Sequence, residues 1–257
     1  MKRLMFFAYG VACHLLFLAV YGCLAAFVGN WSFGFLPTID GSPVGSTPTS
    51  ILVDIALIAA FGVQHSVMAR PGFKAWWTRL VPEPIERSTY VLVSNLLVIL
   101  LIWQWRPIGG IVWEVTHPVG AGVLQGLFVL GWLAIPLVSL MIDHFDLFGT
   151  RQVWLHLRGR EYEPRPFRTP GAYRFVRHPL YVGWLLAFWS TPTMSISHFA
   201  FAGLLTAYIV LAIPLEERDL VAQFGERYAR YRRSVGALLP RFGRARRAST
   251  RTAVRAS

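Results

Sequence analysis

Two polar segments that flank the last apolar stretches of this chain contain residue types that bind a charged ligand. The first is Arg177-His-Pro-Leu-Tyr-Val-Gly183, and the second runs from Glu216 to Tyr231. Pro179 suits the first position of a helix, because its missing N–H is not needed there. That helix would begin with free N–H groups and a positive dipole end beside Arg177 and His178. Such an arrangement binds a carboxylate or a phosphate.

The second segment supplies the opposite charge, because Glu216 and Glu217 offer carboxylates to a ligand cation. One stripe of its predicted helix carries Leu220, Phe224, Tyr228 and Tyr231. An anion-binding helix start near an acidic pair and flat rings suits a zwitterionic ligand with an aromatic part, such as S-adenosylmethionine. The alternatives are an interfacial helix start with a snorkelling arginine, and an amphipathic helix on the inner leaflet.

The elements that position these segments are apolar. Six apolar runs are Leu4–Val28, Ile51–Met68, Thr89–Trp105, Ala121–Ile142, Leu180–Met194 and Phe199–Leu215. Hydrophobic residues make up 54% of the 257 residues and charged residues 15%, whereas a soluble domain carries about 25% charged residues. A membrane-spanning helix needs about 20 apolar residues, and the last two runs are shorter. We therefore predict an all-α, polytopic membrane helix bundle of about six spans, with five spans plus a re-entrant hairpin as the alternative.

The basic residues predict the orientation of this bundle. All but one of the 25 Lys and Arg residues lie at the amino end, in every second gap between the runs, or in the tail; the exception is Arg106. Because basic residues are retained on the cytoplasmic side, we expect an integral protein of the bacterial inner membrane with both termini in the cytoplasm. The net charge of +12 then reflects contact with membrane lipids and not with nucleic acid.

The chain is predicted to form one transmembrane domain over residues 1–243. Residues 174–240 are its ligand-binding part, and the segment from Glu216 is a cytoplasmic, C-terminal amphipathic helix. Residues 244–257 are basic and of low complexity, and we expect them to be disordered. No Gly-x-Gly-x-x-Gly motif follows a strand, which excludes a Rossmann-type cofactor domain.

Further polar segments lie on the same, cytoplasmic side. They are Gln64-His-Ser66, Pro82–Tyr90 and Asp143–Gly149. A transporter would be expected to carry such groups near the membrane midplane as well. The one-sided distribution favours a site that is reached from the cytosol. The sequence offers no clustered set of Cys and His for a metal, and we predict none.

The motif pair Arg177–Gly183 and Glu216–Tyr231 resembles that of the integral-membrane methyltransferases of the isoprenylcysteine carboxyl methyltransferase superfamily. Within that superfamily the whole chain is similar to the methanethiol S-methyltransferases. This closer resemblance depends on further blocks, which are Gln64–Pro71, Val81–Tyr90, Trp103–Pro107 and Asp143–Gly149. Together the blocks extend over roughly Phe61–Tyr231.

The resemblance implies S-adenosylmethionine as the methyl donor and a pocket with two walls. One wall would contain Arg177, His178, Pro179, Tyr181 and Gly183, and the other Glu216, Glu217, Tyr228 and Tyr231. Gly183 would allow a ligand or a neighbouring helix to approach closely. The superfamily often continues with a Val-Pro-x-x-x-Pro-like stretch that lines the cofactor. Here the corresponding residues, 235–240, lack the first proline, and the resemblance carries over Leu239.

The implied reaction is methyl transfer to methanethiol, which gives dimethyl sulfide and S-adenosylhomocysteine; hydrogen sulfide is a further candidate thiol. Because the thiolate is the nucleophile, some group must accept the thiol proton. The leading candidates are His144 and Asp146, since a carboxylate would orient a histidine that titrates near neutral pH. His65 and Tyr90 lie at the same membrane face and are also candidates. The alternatives are ion pairs with arginines for Asp146 and a buried, hydrogen-bonded histidine between helices for His65.

Two other functions remain open on the sequence alone. A membrane methyltransferase for a lipid or an isoprenoid thiol or carboxylate would require a lateral opening between spans. A transporter or membrane adaptor would have no chemistry at all. Binding of S-adenosylhomocysteine separates both enzyme hypotheses from the third.

Overall fold

The computed structural model of this protein describes residues 1–43 and 45–241. Within these ranges the chain forms ten α-helices, which are α1 (Lys2–Val28), α2 (Thr47–Met68), α3 (Pro71–Trp77), α4 (Glu83–Gln104), α5 (Pro118–Ile142), α6 (His144–Leu147), α7 (Thr150–Leu157), α8 (Pro179–Trp189), α9 (Ile196–Phe224) and α10 (Glu226–Ser234). A 3-10 turn covers Gly171–Arg174, and two strands are β1 (Ile111–Glu114) and β2 (Thr193–Ser195). The predicted tail, 244–257, lies outside the described residues.

Five of the described helices are long and apolar enough to cross a membrane, namely α1, α2, α4, α5 and α9. The shortest of them has 22 residues and is therefore about 33 Å long. Helix α8 has 11 residues, or about 16 Å, which is shorter than the roughly 30 Å of a bilayer core. The prediction of an all-α membrane bundle is confirmed. Of the six predicted runs, five form helices of spanning length, and the fifth run, predicted to be short, forms only α8.

The chain nevertheless passes along the bundle six times, because the residues after α8 continue to the opposite end of the bundle, where they pair as a strand. β2 pairs antiparallel with β1, with Trp113 opposite Met194 and Glu114 opposite Thr193. β1 connects the end of α4 to the start of α5, so the turn between α8 and α9 lies at the same end of the bundle as that connection. A re-entrant hairpin would instead turn back before reaching this end. We call it the ribbon end. The opposite end, where α1 begins and α9 ends, is called the polar end.

Proline residues mark several helix starts. Pro48, Pro84, Pro118 and Pro179 lie in the first turns of α2, α4, α5 and α8. The first N–H groups of a helix have no partner within it, so a residue without an N–H fits there. The predicted helix start at Pro179 is confirmed.

The apolar core lies in the half of the bundle nearer to the ribbon end. Its aromatic members include Phe27, Trp105, Phe188 and Phe201, each at most 6% exposed. The Phe201 ring meets Trp105 and Phe188 nearly edge to face, with centroids 5.5 and 5.3 Å apart, a favourable aromatic geometry. The hydrogen-bonded polar side chains of the predicted site are left to the other half.

Helix α8 is fixed against α5 by a close contact between small residues. A Cβ atom at Gly131 would lie 2.5 Å from the backbone nitrogen of Ala187. A Cβ atom at Gly183 would lie 3.0 Å from Cγ1 of Ile135. Small residues permit such an approach between membrane helices, and here the two contacts, at Gly183 and Ala187, fix α8 against α5 along its length.

The predicted amphipathic helix after Glu216 is divided at Gly225. Helix α9 continues through Phe224, and α10 begins at Glu226. Gly225 has a φ of 58°, a conformation that favours glycine. The apolar half of the predicted stripe therefore lies on α9 and its two tyrosines on α10, so the prediction of a single helix was wrong. Phe224, Tyr228 and Tyr231 nevertheless pack on one ring, that of Phe167.

Candidate functional site

A buried ion pair joins the two predicted site segments at the polar end. Nε of Arg177 donates to Oε1 of Glu217 at 2.7 Å, and both side chains are 8% exposed. The Arg177 guanidinium also donates to the backbone carbonyls of Arg232, at 3.0 Å, and Val235. Nε2 of His178 lies 3.1 Å from the same Glu217 oxygen. The start of α8 and the end of α9 therefore meet, in the arrangement that the two motifs predict.

Glu216 is the more accessible of the two adjacent carboxylates, with a side chain 41% exposed. Its Oε2 accepts a hydrogen bond from the Tyr181 hydroxyl at 2.9 Å and lies 3.7 Å from Nδ1 of His178. The rings of His178 and Tyr181 stack with centroids 5.3 Å apart. The cluster of Arg177, His178, Tyr181, Glu216 and Glu217 contains two carboxylates and one guanidinium. Because Arg177 engages Glu217, the accessible Glu216 carboxylate favours a cationic ligand group.

The C-terminal segment covers the start of α8. The N–H of Arg177 donates to the carbonyl of Gly236 at 2.8 Å, and the N–H of His178 donates to the carbonyl of Ala237 at 3.0 Å. The sequence predicts an anion site made by the free N–H groups at the start of α8, with Arg177 and His178 before it. In the structure the backbone N–H groups of Arg177 and His178 bind this segment, and the guanidinium of Arg177 neutralises and orients Glu217.

The two predicted tyrosines on α10 are packed beside this cluster. Tyr228 is 2% exposed, and the Tyr231 hydroxyl donates to the carbonyl of Tyr173 at 2.5 Å. Both rings pack against Phe167, with centroids 5.6 and 5.4 Å away. Burial raises the pKa of Tyr231 to about 12, and burial with the nearby Glu217 raises the pKa of Tyr228 above its usual value. Both residues therefore remain protonated at neutral pH.

Three other predicted cofactor contacts are placed differently. Pro179 is buried at the start of α8, directly after the cluster. Gly183 faces Ile135 of α5, so its missing side chain accommodates a neighbouring helix. Leu239 is 79% exposed and lines, with Trp189, a shallow apolar cavity of about 420 Å³.

The predicted catalytic residues His65 and Tyr90 form a hydrogen-bonded dyad. The Tyr90 hydroxyl oxygen lies 2.9 Å from Nε2 of His65 and 3.0 Å from its Nδ1. The guanidinium carbon of Arg87 lies 4.6 Å from the centroid of the Tyr90 ring. Tyr90 is also close enough to Glu216 and Tyr208 to interact with them electrostatically. The dyad therefore adjoins the acidic side of the cluster.

His144 has no free ring nitrogen. The Ser139 hydroxyl donates to the carbonyl of Pro136 at 2.8 Å, so it accepts the Nδ1–H of His144 at 2.7 Å. Nε2 of His144 must then accept, and it receives the Nε2–H of His14 at 3.2 Å. Nδ1 of His14 in turn accepts from the Thr150 hydroxyl at 2.6 Å. This donor count leaves no lone pair on His144 for a thiol proton.

Electrostatics and hydrogen bonding at α6 agree with this structural role. Burial, with His14 adding to it, lowers the pKa of His144. Asp146 is paired with Arg151 at 3.0 Å and accepts a hydrogen bond from Tyr162 at 3.2 Å. The neighbouring Asp143 is paired with Arg165 at 2.7 Å. The ion-pair alternative for Asp146 is therefore the arrangement that the structure shows.

Sequence reasoning missed Tyr208 and His14. Tyr208 lies on α9 two turns before Glu216, and its hydroxyl is 3.1 Å from Oγ of Ser66. A polar side chain within an apolar run is the feature that could have identified either residue. In the described ranges no three His, Cys, Asp or Glu side chains converge as metal ligands would.

Comparison with known proteins supplies a family. A family model described as "Protein of unknown function (DUF1295)" matches residues 84–235. The chain is 49% identical over 245 residues to the methanethiol S-methyltransferase of Crocosphaera subtropica, which covers 95% of each chain. It is 46% identical over 241 residues to the methanethiol S-methyltransferase of Mycobacterium tuberculosis, covering 93% of this chain and 98% of the relative.

More distant and structural comparisons add less. Nurim of Mus musculus is 35% identical over 180 residues, which is 66% of this chain and 68% of nurim. No solved structure matches the chain. The family model begins in α4 and ends after α10, so it includes Tyr90 and the whole cluster around Arg177 and Glu217.

Proposed function

This chain belongs to the methanethiol S-methyltransferase family, and we propose that it transfers a methyl group from S-adenosylmethionine to methanethiol, giving dimethyl sulfide and S-adenosylhomocysteine. The observation that carries the proposal is the cluster at the polar end. There a pair of adjacent glutamates, one buried against Arg177 and one half exposed, lies near a tyrosine–histidine dyad.

The side chains of the cluster fit S-adenosylmethionine. The half-exposed Glu216 carboxylate is the group that would accept the ligand ammonium, because Glu217 is already engaged by Arg177 and His178. The partly exposed Tyr181 ring, which stacks on the buried His178, offers a face to a cation or to a flat purine. When bound, S-adenosylmethionine supplies an electrophilic methyl group.

The Tyr90–His65 dyad is the proposed proton acceptor. As the S–H bond of methanethiol breaks, the proton passes to the Tyr90 oxygen while the Tyr90 proton passes to a ring nitrogen of His65. Arg87 lies over the Tyr90 ring, where its positive charge stabilises negative charge that develops on the phenol or the thiol. We prefer this dyad to His144 because both nitrogens of His144 have partners.

The surroundings of the dyad favour the reaction. Thiolate and sulfonium neutralise each other as the new carbon–sulfur bond forms, so a site with little water favours the transition state over the separated ions. Alignment of the two reactants supplies a further part of the acceleration. α2 and α4, which carry His65 and Tyr90, are long apolar helices that limit access of water from the sides.

We further propose that the polar end faces the cytoplasm at a bacterial inner membrane. Among the described residues, every Lys and Arg except Arg106 lies in the helix ends and connections at that end, and basic residues are retained inside. The excess of arginine there also suits contact with anionic lipid headgroups.

Headspace gas chromatography tests the function. Purified protein in detergent is supplied with methanethiol and S-adenosylmethionine, and dimethyl sulfide is expected only with both. Tyr90→Phe is the matched control, because it removes one hydroxyl and should retain cofactor binding while product formation falls. A wild-type protein that binds S-adenosylhomocysteine yet forms no dimethyl sulfide would contradict methanethiol as the methyl acceptor.

A further inference from the structure

Tyr208 lies between the proposed reaction site and a groove on the outside of the helix bundle. We infer that its ring is the specificity-determining wall that restricts the enzyme to very small thiols. The inference depends on the proposed function, since it concerns which thiols the same site accepts.

The groove lies between α2 and α9 and is apolar. It has a volume of about 400 Å³ and is lined by side chains such as Ile55, Ala59, Val63 and Leu211. Its two polar lining residues are Ser66 and Tyr208, whose hydroxyls form the 3.1 Å hydrogen bond. A groove of this composition suits an alkyl chain of several carbons. Methanethiol, with its single carbon, could not fill it.

The Tyr208 ring is held in place on three sides. A Cβ atom at Gly62 would lie 2.9 Å from Cδ2 of Tyr208, so the ring rests on the backbone of α2 where only glycine leaves space. The ring of Phe61 packs edge-on against it, with centroids 6.2 Å apart. The bond to Ser66 holds the hydroxyl. These contacts fix one orientation, and the ring acts as a rigid partition.

The proposed site lies beyond this partition. The ring of Phe61 stacks on His65 of the dyad, with centroids 5.2 Å apart, and also packs against Tyr208. The Tyr208 hydroxyl bonds to Ser66, the residue after His65. Tyr208 lines the groove, whereas His65, Tyr90 and Glu216 do not. Tyr208 therefore lies between the dyad and the groove.

The placement has a consequence for substrate size. With the ring present, a thiol at Tyr90 has no room for a long alkyl chain in the direction of α2 and α9. Without the ring, the groove and the site would form one continuous space, and the chain of a longer thiol could occupy the groove. One methylene group in an apolar pocket changes specificity by about tenfold or more.

The test compares methanethiol with hexanethiol for the wild-type protein, Tyr208→Ala and Tyr208→Phe. We expect the ratio of kcat/KM for hexanethiol to that for methanethiol to rise at least about tenfold in Tyr208→Ala. Tyr208→Phe keeps the ring and should leave the ratio unchanged. Leu211→Ala is the matched control, because it widens the groove without removing the partition. S-adenosylhomocysteine binding reports whether each variant is folded.

The outcomes are distinct. An unchanged ratio in a folded Tyr208→Ala, or an equal rise in Leu211→Ala, overturns the inference while methanethiol turnover by the wild type upholds the proposed function. If Tyr208→Ala does not fold, Tyr208→Leu replaces it, and the same rise in the hexanethiol to methanethiol ratio is expected. In the wild type, hexanethiol should be methylated poorly and should not compete with methanethiol. Efficient methylation of hexanethiol by the wild type overturns the inference. If the wild type methylates no thiol, both proposals are wrong.

Discussion

Glu216 and Glu217 are adjacent in sequence but should respond oppositely to the same substitution. Glu217 is buried and neutralises Arg177, whereas Glu216 is half exposed and accepts a single hydrogen bond from Tyr181. Changing each to glutamine removes one negative charge with almost no change in shape. We expect Glu217→Gln to lower stability and Glu216→Gln to lower ligand affinity.

The magnitudes follow from the contacts. Removing one partner of a buried ion pair costs about 3–5 kcal/mol. Arg177 keeps its two carbonyl acceptors and glutamine keeps an acceptor oxygen, so we expect the lower value, about 3 kcal/mol, or about 6–12 °C in Tm for a chain of this length. Glu216→Gln should leave Tm within about 2 °C, because surface charges contribute about 0–1 kcal/mol. Loss of a charge-assisted contact to the ligand ammonium is worth about 1.5 kcal/mol, or about tenfold in Kd.

The assay uses detergent-purified protein, with differential scanning fluorimetry for Tm and isothermal titration calorimetry with S-adenosylhomocysteine for Kd. The two variants serve as controls for each other. Equal Tm values for Glu217→Gln and the wild type would show that the buried ion pair does not stabilise the cluster. An unchanged Kd in Glu216→Gln would show that the ligand ammonium binds elsewhere.

Three further predictions concern other parts of the bundle. Tyr90→Phe should lower kcat about 100-fold or more, the size of a general-base contribution, with the Kd for S-adenosylhomocysteine within twofold; a kcat close to that of the wild type would exclude the Tyr90–His65 dyad. His144→Gln should flatten the pH dependence of Tm. Because the pKa of His144 is lowered in the folded protein, the unfolded chain binds more protons below about pH 6.5, and wild-type stability should fall as the pH drops through that range. Equal slopes of Tm against pH in the two proteins would contradict this. Gly131→Ala should cost about 1–3 kcal/mol, measured as a lower Tm, because the new methyl group would meet the backbone of Ala187 at 2.5 Å; a stable variant would mean that α8 can move away from α5.

The sequence predicted the membrane bundle and the meeting of the two motifs because both depend on local patterns. Apolar length defines a span, and the charges of Arg177 and Glu217 require a partner once they are buried. The short α8 was not predicted, although Ser190-Thr-Pro192 directly after Trp189 is a helix-ending signal. The pairing of β2 with β1 connects distant parts of the chain, and the apolar run does not reveal it. The helix breaks at Gly225, whose φ is 58°. The spacing of Leu220, Phe224, Tyr228 and Tyr231 does not predict this break.

Assignment of individual chemical roles depended on contacts between distant parts of the chain. His144 and Asp146 looked suitable for catalysis because they are close in sequence. Nε2 of His144 is hydrogen-bonded to His14, which lies 130 positions away in the sequence, and no spacing rule connects the two residues. Tyr208 likewise has its partners, Ser66 and Phe61, on another helix, α2, so its position between groove and site is seen only when the helices are packed.

The two walls of the proposed pocket differ in how easily they could be displaced. Helix α8 is locked to α5 by the glycine contact, so its movement would disrupt a closely packed surface. The segment after α10 is attached across the start of α8 through the backbone of Arg177 and His178, and Leu239 beyond it is largely exposed. Such a weakly attached segment opens at a lower free energy than the packed helices. We therefore expect exchange of a spent methyl donor for a fresh one to occur by local release of the chain's final described residues, while the helices remain in place.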